Sequence, residues 1–181
     1  MPNYVDELFD LFGENPKEHF TYKKKDISCN YFWEDGTRLS AFSDKQKFAN
    51  EVKKKLGVPT HRLLKYLKKA EKKYNLTKTI FLEKSLHKLS TFLTTDTLKA
   101  IVHLNLFQIG KSLNDVNEKE LIEPHLIQLY NRFATYNGSS PYKTPGMMTL
   151  VQHLEQEYGT YLVEKGMVDI ANSLFHLATR K

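Results

Sequence analysis

A chain of 181 residues that is 40% apolar is long enough for one domain around its own core. Its single cysteine, Cys29, excludes an intrachain disulfide and a metal site built on paired cysteines. The formal net charge of +6 would suit an acidic partner, but arginine occurs only at Arg38, Arg62, Arg132 and Arg180, and there is no zinc-finger or RNA-recognition motif, so no nucleic-acid partner is expected.

In chain order, Asn3 is placed to cap a short helix carrying Val5, Leu8, Phe9, Leu11 and Phe12, which Gly13 ends. Pro16 bends the chain. Residues 20–25 and 30–33 read as strands, Asp35-Gly36 as a hairpin turn, and residues 37–42 as the returning strand. The pleat puts Tyr31 and Trp33 on one face and Phe32 on the other. Ser43 with Gln46 forms a capping box for a helix through Phe48, Val52 and Leu56 that stops at Gly57. Thr60 caps a longer helix to Asn75, with Leu63, Leu67, Ala70 and Tyr74 on one face.

Thr77 begins another helical piece with Ile80, Phe81, Leu82 and Leu86, and the apolar pattern continues through 89–92 and 94–106. Gly110 to Lys119 is polar and reads as a loop. Pro124 opens a helix with Leu126, Leu129, Tyr130 and Phe133 on one face, broken by the turn signals of residues 136–141. A further helix buries Leu150, Val151 and Leu154 and ends at Gly159. Residues 160–163 are extended, and a last helix from Met167 to Arg180 turns Ile170, Leu174 and Leu177 inward. The expected fold class is α+β, with a small antiparallel β-sheet near the N-terminus followed by a mostly helical bundle, in a single domain.

Little here could carry acid, base or nucleophilic chemistry. The histidines are His19, His61, His87, His103, His125, His153 and His176, with no HxxxH or HExxH spacing. His153 and Glu155 are two positions apart, so a helix points them to different faces. No metal site and no catalytic group is expected. Cys29 sits mid-strand, away from any helix N-terminus that would activate a thiolate.

Lys65, Lys68, Lys69, Lys72 and Lys73 flank an apolar stripe, which fits either a solvated face or a helix lying on an anionic membrane. Pro141, Tyr142, Met147 and Met148 make one loop unusually apolar. It either folds onto its own core or faces a ligand or partner. No apolar run approaches the roughly 20 residues of a membrane span.

A family resemblance rests on residues 131–167. Asn131-Arg132, Ala134-Thr135-Tyr136-Asn137-Gly138-Ser139, Pro141-Tyr142-Lys143, Pro145, His153-Leu154-Glu155, Gly159, Tyr161 and Lys165-Gly166-Met167 carry it. Phe32-Trp33-Glu34-Asp35-Gly36-Thr37 and residues 80–89 support it in the same order. The chain resembles the FAD-dependent phytoene desaturases and related carotenoid desaturases over nearly its whole length.

The resemblance implies an oxidoreductase of carotenoid biosynthesis whose FAD accepts a hydride from a long apolar polyene. One departure is decisive for what this chain holds. The family's dinucleotide fold carries G-x-G-x-x-G after its first strand, and Gly13, Gly36, Gly57, Gly110, Gly138, Gly146, Gly159 and Gly166 form no such cluster. The resemblance therefore implies the substrate-binding domain of a larger flavoenzyme. FAD would sit on a flavin-binding domain that is the partner of this one, with none held by this chain, which alone would be inactive.

Read through the resemblance, Tyr136, Asn137, Pro141, Tyr142, Met147, Met148 and Tyr161 are the substrate-binding residues. Lys165, Gly166 and Met167 are the cofactor-side contacts, and the five lysines of 65–73 face the membrane. Residues 136–148 and 161–166 are expected on one side, with the N-terminus nearby. A cytoplasmic location is expected, peripheral to the inner face of the membrane. The alternative is a stand-alone lipid- or protein-binding module without catalysis.

Overall fold

The computed structural model describes residues 2–81, 84–85, 87–88 and 93–180. The fold is α+β. It opens with α1 (Asn3–Leu11), in which Asn3 is the first helical residue and Pro2 takes the cap position with no side-chain bond. Strand β1 (Tyr22–Lys24) does not join the hairpin that follows it. It pairs antiparallel with β4 (Tyr161–Val163), Tyr22 opposite Val163 and Lys24 opposite Tyr161. The hairpin is a second two-stranded sheet, β2 (Ile27–Phe32) with β3 (Arg38–Phe42). As the pleat requires, Tyr31 and Trp33 pack on the core and Phe32 is exposed.

Helix α2 (Lys45–Leu56) is capped by Asp44, whose carboxylate accepts the Lys47 amide at 2.6 Å. Ser43, the residue expected there, instead donates its hydroxyl to the Lys25 carbonyl. Gly57 ends α2 in the left-handed conformation at φ 71°. Helix α3 (Thr60–Phe81) is continuous across Asn75 and Thr77. The Thr77 hydroxyl donates back to the Lys73 carbonyl at 2.8 Å, so it bonds within the helix rather than starting a new one. The expected helical positions Leu82 and Leu86, and 89–92, lie outside the described residues.

Helix α4 (Thr95–Val102) is capped by Thr94 and leads into a 3₁₀ turn, Leu104–Phe107. The segment expected as a loop is helix α5 (Leu113–Leu121). Ser112 and Asp115 form a reciprocal capping box at its start. Its first amides find carbonyls from the distant loop, Leu113 N–H to Thr144 at 2.7 Å and Asn114 N–H to Pro141 at 3.1 Å. That loop satisfies donors the helix itself leaves open.

Helix α6 (Pro124–Asn131) begins with Pro124 behind Glu123, whose carboxylate accepts the Leu126 amide at 2.7 Å. It runs on as a 3₁₀ turn, Arg132–Asn137. After the loop, a 3₁₀ turn (Gly146–Leu150), a short α7 (Val151–His153) and a π-helical turn (Leu154–Tyr158) follow one another. The face they bury carries Gln152, His153 and Gln156, whereas Leu150, Val151 and Leu154 are only half-buried. Gln156 donates to the Tyr130 hydroxyl at 2.8 Å, so this amide is held by the neighbouring helix. Helix α8 (Val168–Thr179) closes the chain, with Leu177 buried and Ile170 and Leu174 packed beside it.

Two cores result. The larger joins the hairpin, α2, α3 and α6 through Leu39, Phe48, Val52, Leu63, Leu126 and Tyr130. The smaller, of Phe9, Phe20, Val163 and Leu177, ties α1 and α8 to the β1–β4 ladder. At about 25 cal/mol per Å² of apolar surface removed from water, such side chains supply most of the favourable free energy.

Candidate functional site

Two apolar clefts divide the residues singled out from the sequence. One, of about 230 Å³, lies between α3, α4 and the 3₁₀ turn after it. Its walls are Thr77, Ile80, Thr97, Ala100, Ile101, Leu104, Phe107, Ile109 and Met147. The walls are aliphatic or aromatic apart from two threonines, so water has few partners there. Met147 reaches this cleft because the 3₁₀ turn Gly146–Leu150 packs on α3.

The other cleft, of about 190 Å³, sits on the β1–β4 ladder between α1 and α8. It is lined by Pro2, Val5, Phe20, Tyr22, Gly159, Tyr161, Val163, Met167 and Ile170. Tyr161 meets Tyr22 edge to face at 5.6 Å. Tyr22 donates to the Asp6 carboxylate at 2.7 Å. That bond, with burial, pushes the phenol up to about 12.

Tyr161 and Met167 thus share one cleft with the N-terminal Pro2, as chain order suggested for the N-terminus, while Met147 lines the other. The remaining loop residues line neither. Tyr136 and Tyr142 are 61% and 70% exposed. Tyr136 stacks on Phe133 and donates to Glu155 at 3.3 Å, and Glu155 is paired with Arg132. Asn137 is exposed, Pro141 and Met148 are half-buried, and the Pro141 carbonyl is committed to α5. Lys165 is exposed beside Gly166, which turns into α8 at φ 93°. Sequence reasoning missed Val5, Phe20 and Tyr22, which face Tyr161 only because β1 pairs with β4. In the first cleft, residues 95–109 gave an apolar pattern with no sign of what it enclosed.

The lysine face also divides. Lys65, Lys68 and Lys72 are exposed on α3. Lys69 is paired with Glu120 at 2.6 Å. Lys73 does not belong to a surface set, being only 2% exposed, and it donates to Gln108 at 2.8 Å and Thr149 at 2.7 Å. Burial lowers its ammonium to about 8. The apolar stripe between the lysines is packed into the core at Leu63, Leu67 and Ala70.

Among the histidines, His153 is buried against Tyr74 and Tyr158, and burial pushes its imidazole below the ordinary value. His125 stands between two carboxylates, Nδ1 2.8 Å from Glu123 and Nε2 2.9 Å from Asp35, and both raise it. The sequence hid this pairing, since Asp35 belongs to the hairpin turn. Among the described residues no three His, Cys, Asp or Glu side chains gather as a metal site. Both sheets are antiparallel pairs, so the described residues form no parallel strand–helix–strand unit to cradle a dinucleotide pyrophosphate.

No family model matches the chain. It is 44% identical over 180 residues to the 1-hydroxycarotenoid 3,4-desaturase of Flavobacterium sp. (strain P99-3), covering 99% of this chain and 36% of that protein. It is 27% identical over 168 residues to the 4,4'-diapolycopen-4-al dehydrogenase of Metabacillus indicus, covering 93% of this chain and 31% of that protein. It is 24% identical over 181 residues to the 4,4'-diaponeurosporene oxygenase of Staphylococcus aureus (strain USA300), covering 98% and 35%. The chain spans about a third of the length of the curated relatives it matches.

Proposed function

We propose, for a chain that belongs with the carotenoid desaturases and oxygenases, that it forms the substrate-side domain of an oxidoreductase acting on a long polyene. The observation that carries this reading is the apolar cleft containing Met147. A polyene offers no hydrogen-bonding groups along its length, so a wall of Ile80, Ile101, Phe107 and Met147 suits it, and methionine adapts to its shape. The described residues offer no matching acid–base pair in that cleft, which fits chemistry supplied by a cofactor held elsewhere. FAD on a flavin-binding partner domain is the cofactor this reading calls for. The cleft on the β1–β4 ladder, with Tyr161 and Met167, is the side that would meet that domain. A module without catalysis gains no support from these relatives.

The test is binding of a linear carotenoid to the chain, followed by the shift of its visible absorption. Met147→Glu places a charge on the cleft wall and is expected to weaken binding about tenfold or more, while Phe32→Ser, on an exposed side chain of the hairpin, leaves it unchanged. Equal binding by both variants and the unmodified chain would rule out this cleft.

A further inference from the structure

The apolar cleft that holds Met147 has a buried amine behind its wall. Lys73 is 2% exposed, and its ammonium donates to Gln108 at 2.8 Å and to Thr149 at 2.7 Å. Those bonds place it against the cleft. Gln108 stands between Phe107 and Ile109, which both line it, and Thr149 shares a turn with Met147. Thr77, whose hydroxyl donates to the Lys73 carbonyl, forms another part of the wall. Gln108 itself lines a neighbouring cleft of about 400 Å³ that shares Leu104 and Ile109 with the first. Its side chain therefore joins the amine to the lining of this space.

A structural ion pair does not account for this lysine. Both of its acceptors are neutral oxygens. Glu120, the carboxylate that acts on it, is already held by Lys69 through bonds of 2.6 and 2.7 Å. A buried ammonium without a partner charge costs more than an apolar side chain of similar length. Burial, opposed by Glu120 and aided by Lys69, holds the group at about 8. A fraction of the molecules therefore carries a free amine near neutral pH, and desolvated lysines of this kind are nucleophiles toward carbonyl groups. Gln108 adds a mark of its own. Its backbone is left-handed at φ 52°, a conformation that costs energy in a residue other than glycine.

We propose that Lys73 captures an aldehyde borne on a long apolar chain, forming an imine at the wall of the cleft. The inference rests on the reading of that cleft as the seat of such a chain. Gln108 swings aside, and the amine nitrogen attacks the carbonyl carbon. A C–N bond forms, and the carbonyl oxygen leaves as water with two of the ammonium protons. The third proton stays on the imine nitrogen, where the Thr149 hydroxyl accepts it. Nothing is oxidised or reduced. The aliphatic walls hold the chain and keep out the water that would hydrolyse the imine.

The probe is decanal, with cyanoborohydride to fix any imine as a secondary amine and peptide mass mapping to locate it. At pH 7 Lys73 is expected to react about tenfold or more faster than the exposed Lys54, despite its burial. Glyceraldehyde, which has no apolar chain, should show no preference for Lys73. Gln108→Asn, too short to reach the amine and tolerant of left-handed backbone, should speed the decanal reaction several-fold. An unlabelled Lys73, an equal preference with glyceraldehyde, or a slower Gln108→Asn variant overturns the proposal. A linear carotenoid hydrocarbon has no carbonyl, so its binding reports on the cleft alone. Hydrocarbon binding with Lys73 left unlabelled by decanal refutes the imine and keeps the substrate reading. A labelled Lys73 without hydrocarbon binding upholds the imine and refutes the polyene.

Discussion

The ammonium of Lys73 lies 2.7 Å from the Thr149 hydroxyl, bonding α3 to the turn that carries Met147. Burial holds this lysine at about 8, against an ordinary value of about 10.4 in the unfolded chain. Between these two values the unfolded chain binds more protons than the folded one, so stability rises with pH through that window. Below pH 8 the fold carries the cost of a buried charge. Denaturant midpoints of the unmodified chain are expected to rise from pH 8 to about 10.4 relative to those of Lys73→Met. A difference that is flat or falls over the window would contradict the burial.

His125 titrates with the opposite sign. Glu123 first, and Asp35 after it, raise the imidazole, so its contribution is complete below the unfolded value of about 6.5 and is lost as pH rises through the native one. The site is partly open to solvent, and the effect should stay below about 1 kcal/mol. Comparing His125→Gln with the unmodified chain at pH 5 and pH 9 checks this. The variant should lose stability at pH 5 and little at pH 9.

Gly146 has no room for a side chain. A Cβ there would stand 2.6 Å from Val116 Cγ2 and 3.1 Å from the Lys111 carbonyl. Gly146→Ala should cost about 1–3 kcal/mol by overpacking. Val116→Ala, which removes the nearest atom, should recover part of that loss in the double variant, read as non-additivity of thermal midpoints.

Tyr22→Phe strips the Asp6 carboxylate of its partner at a place where the other oxygen of Asp6 is already buried and unpaired. The expected cost is about 1–3 kcal/mol, with little change in side-chain volume. Chemical denaturation gives the number. A neutral outcome would mean that water reaches Asp6.

What was legible in the sequence had local causes. The hairpin could be read because Asp35-Gly36 and the alternation of Tyr31, Phe32 and Trp33 act within a dozen residues. Gly57 and Pro124 marked helix ends in the same local way. Helix α5 was illegible because Thr144 and Pro141, far along the chain, accept its first amides, and because Asn114 and Asn117 lie buried among its apolar positions. Asn117 accepts from Tyr66 at 2.6 Å and donates to Asn131 at 2.8 Å, so a pattern that looks polar belongs to the interior. The partner of β1 was hidden for the same reason. At the candidate site, Tyr161 and Met167 were reachable through family resemblance, but the side chains facing them depend on that pairing.

The β1–β4 ladder also bears on the order in which the chain folds. Thr21 and Glu164, whose side chains bond at 2.8 Å beside the ladder, are 143 positions apart. Closing a loop of that length costs roughly 4 kcal/mol of chain entropy, more than a three-residue ladder returns by itself. The ladder must wait until Phe9, Phe20, Val163 and Leu177 come together, whereas the hairpin and α2 close over short distances. This end should therefore form late and open first. The amides of Lys23 and Leu162 would then exchange with solvent through partial openings that leave those of Leu39 and Phe48 protected.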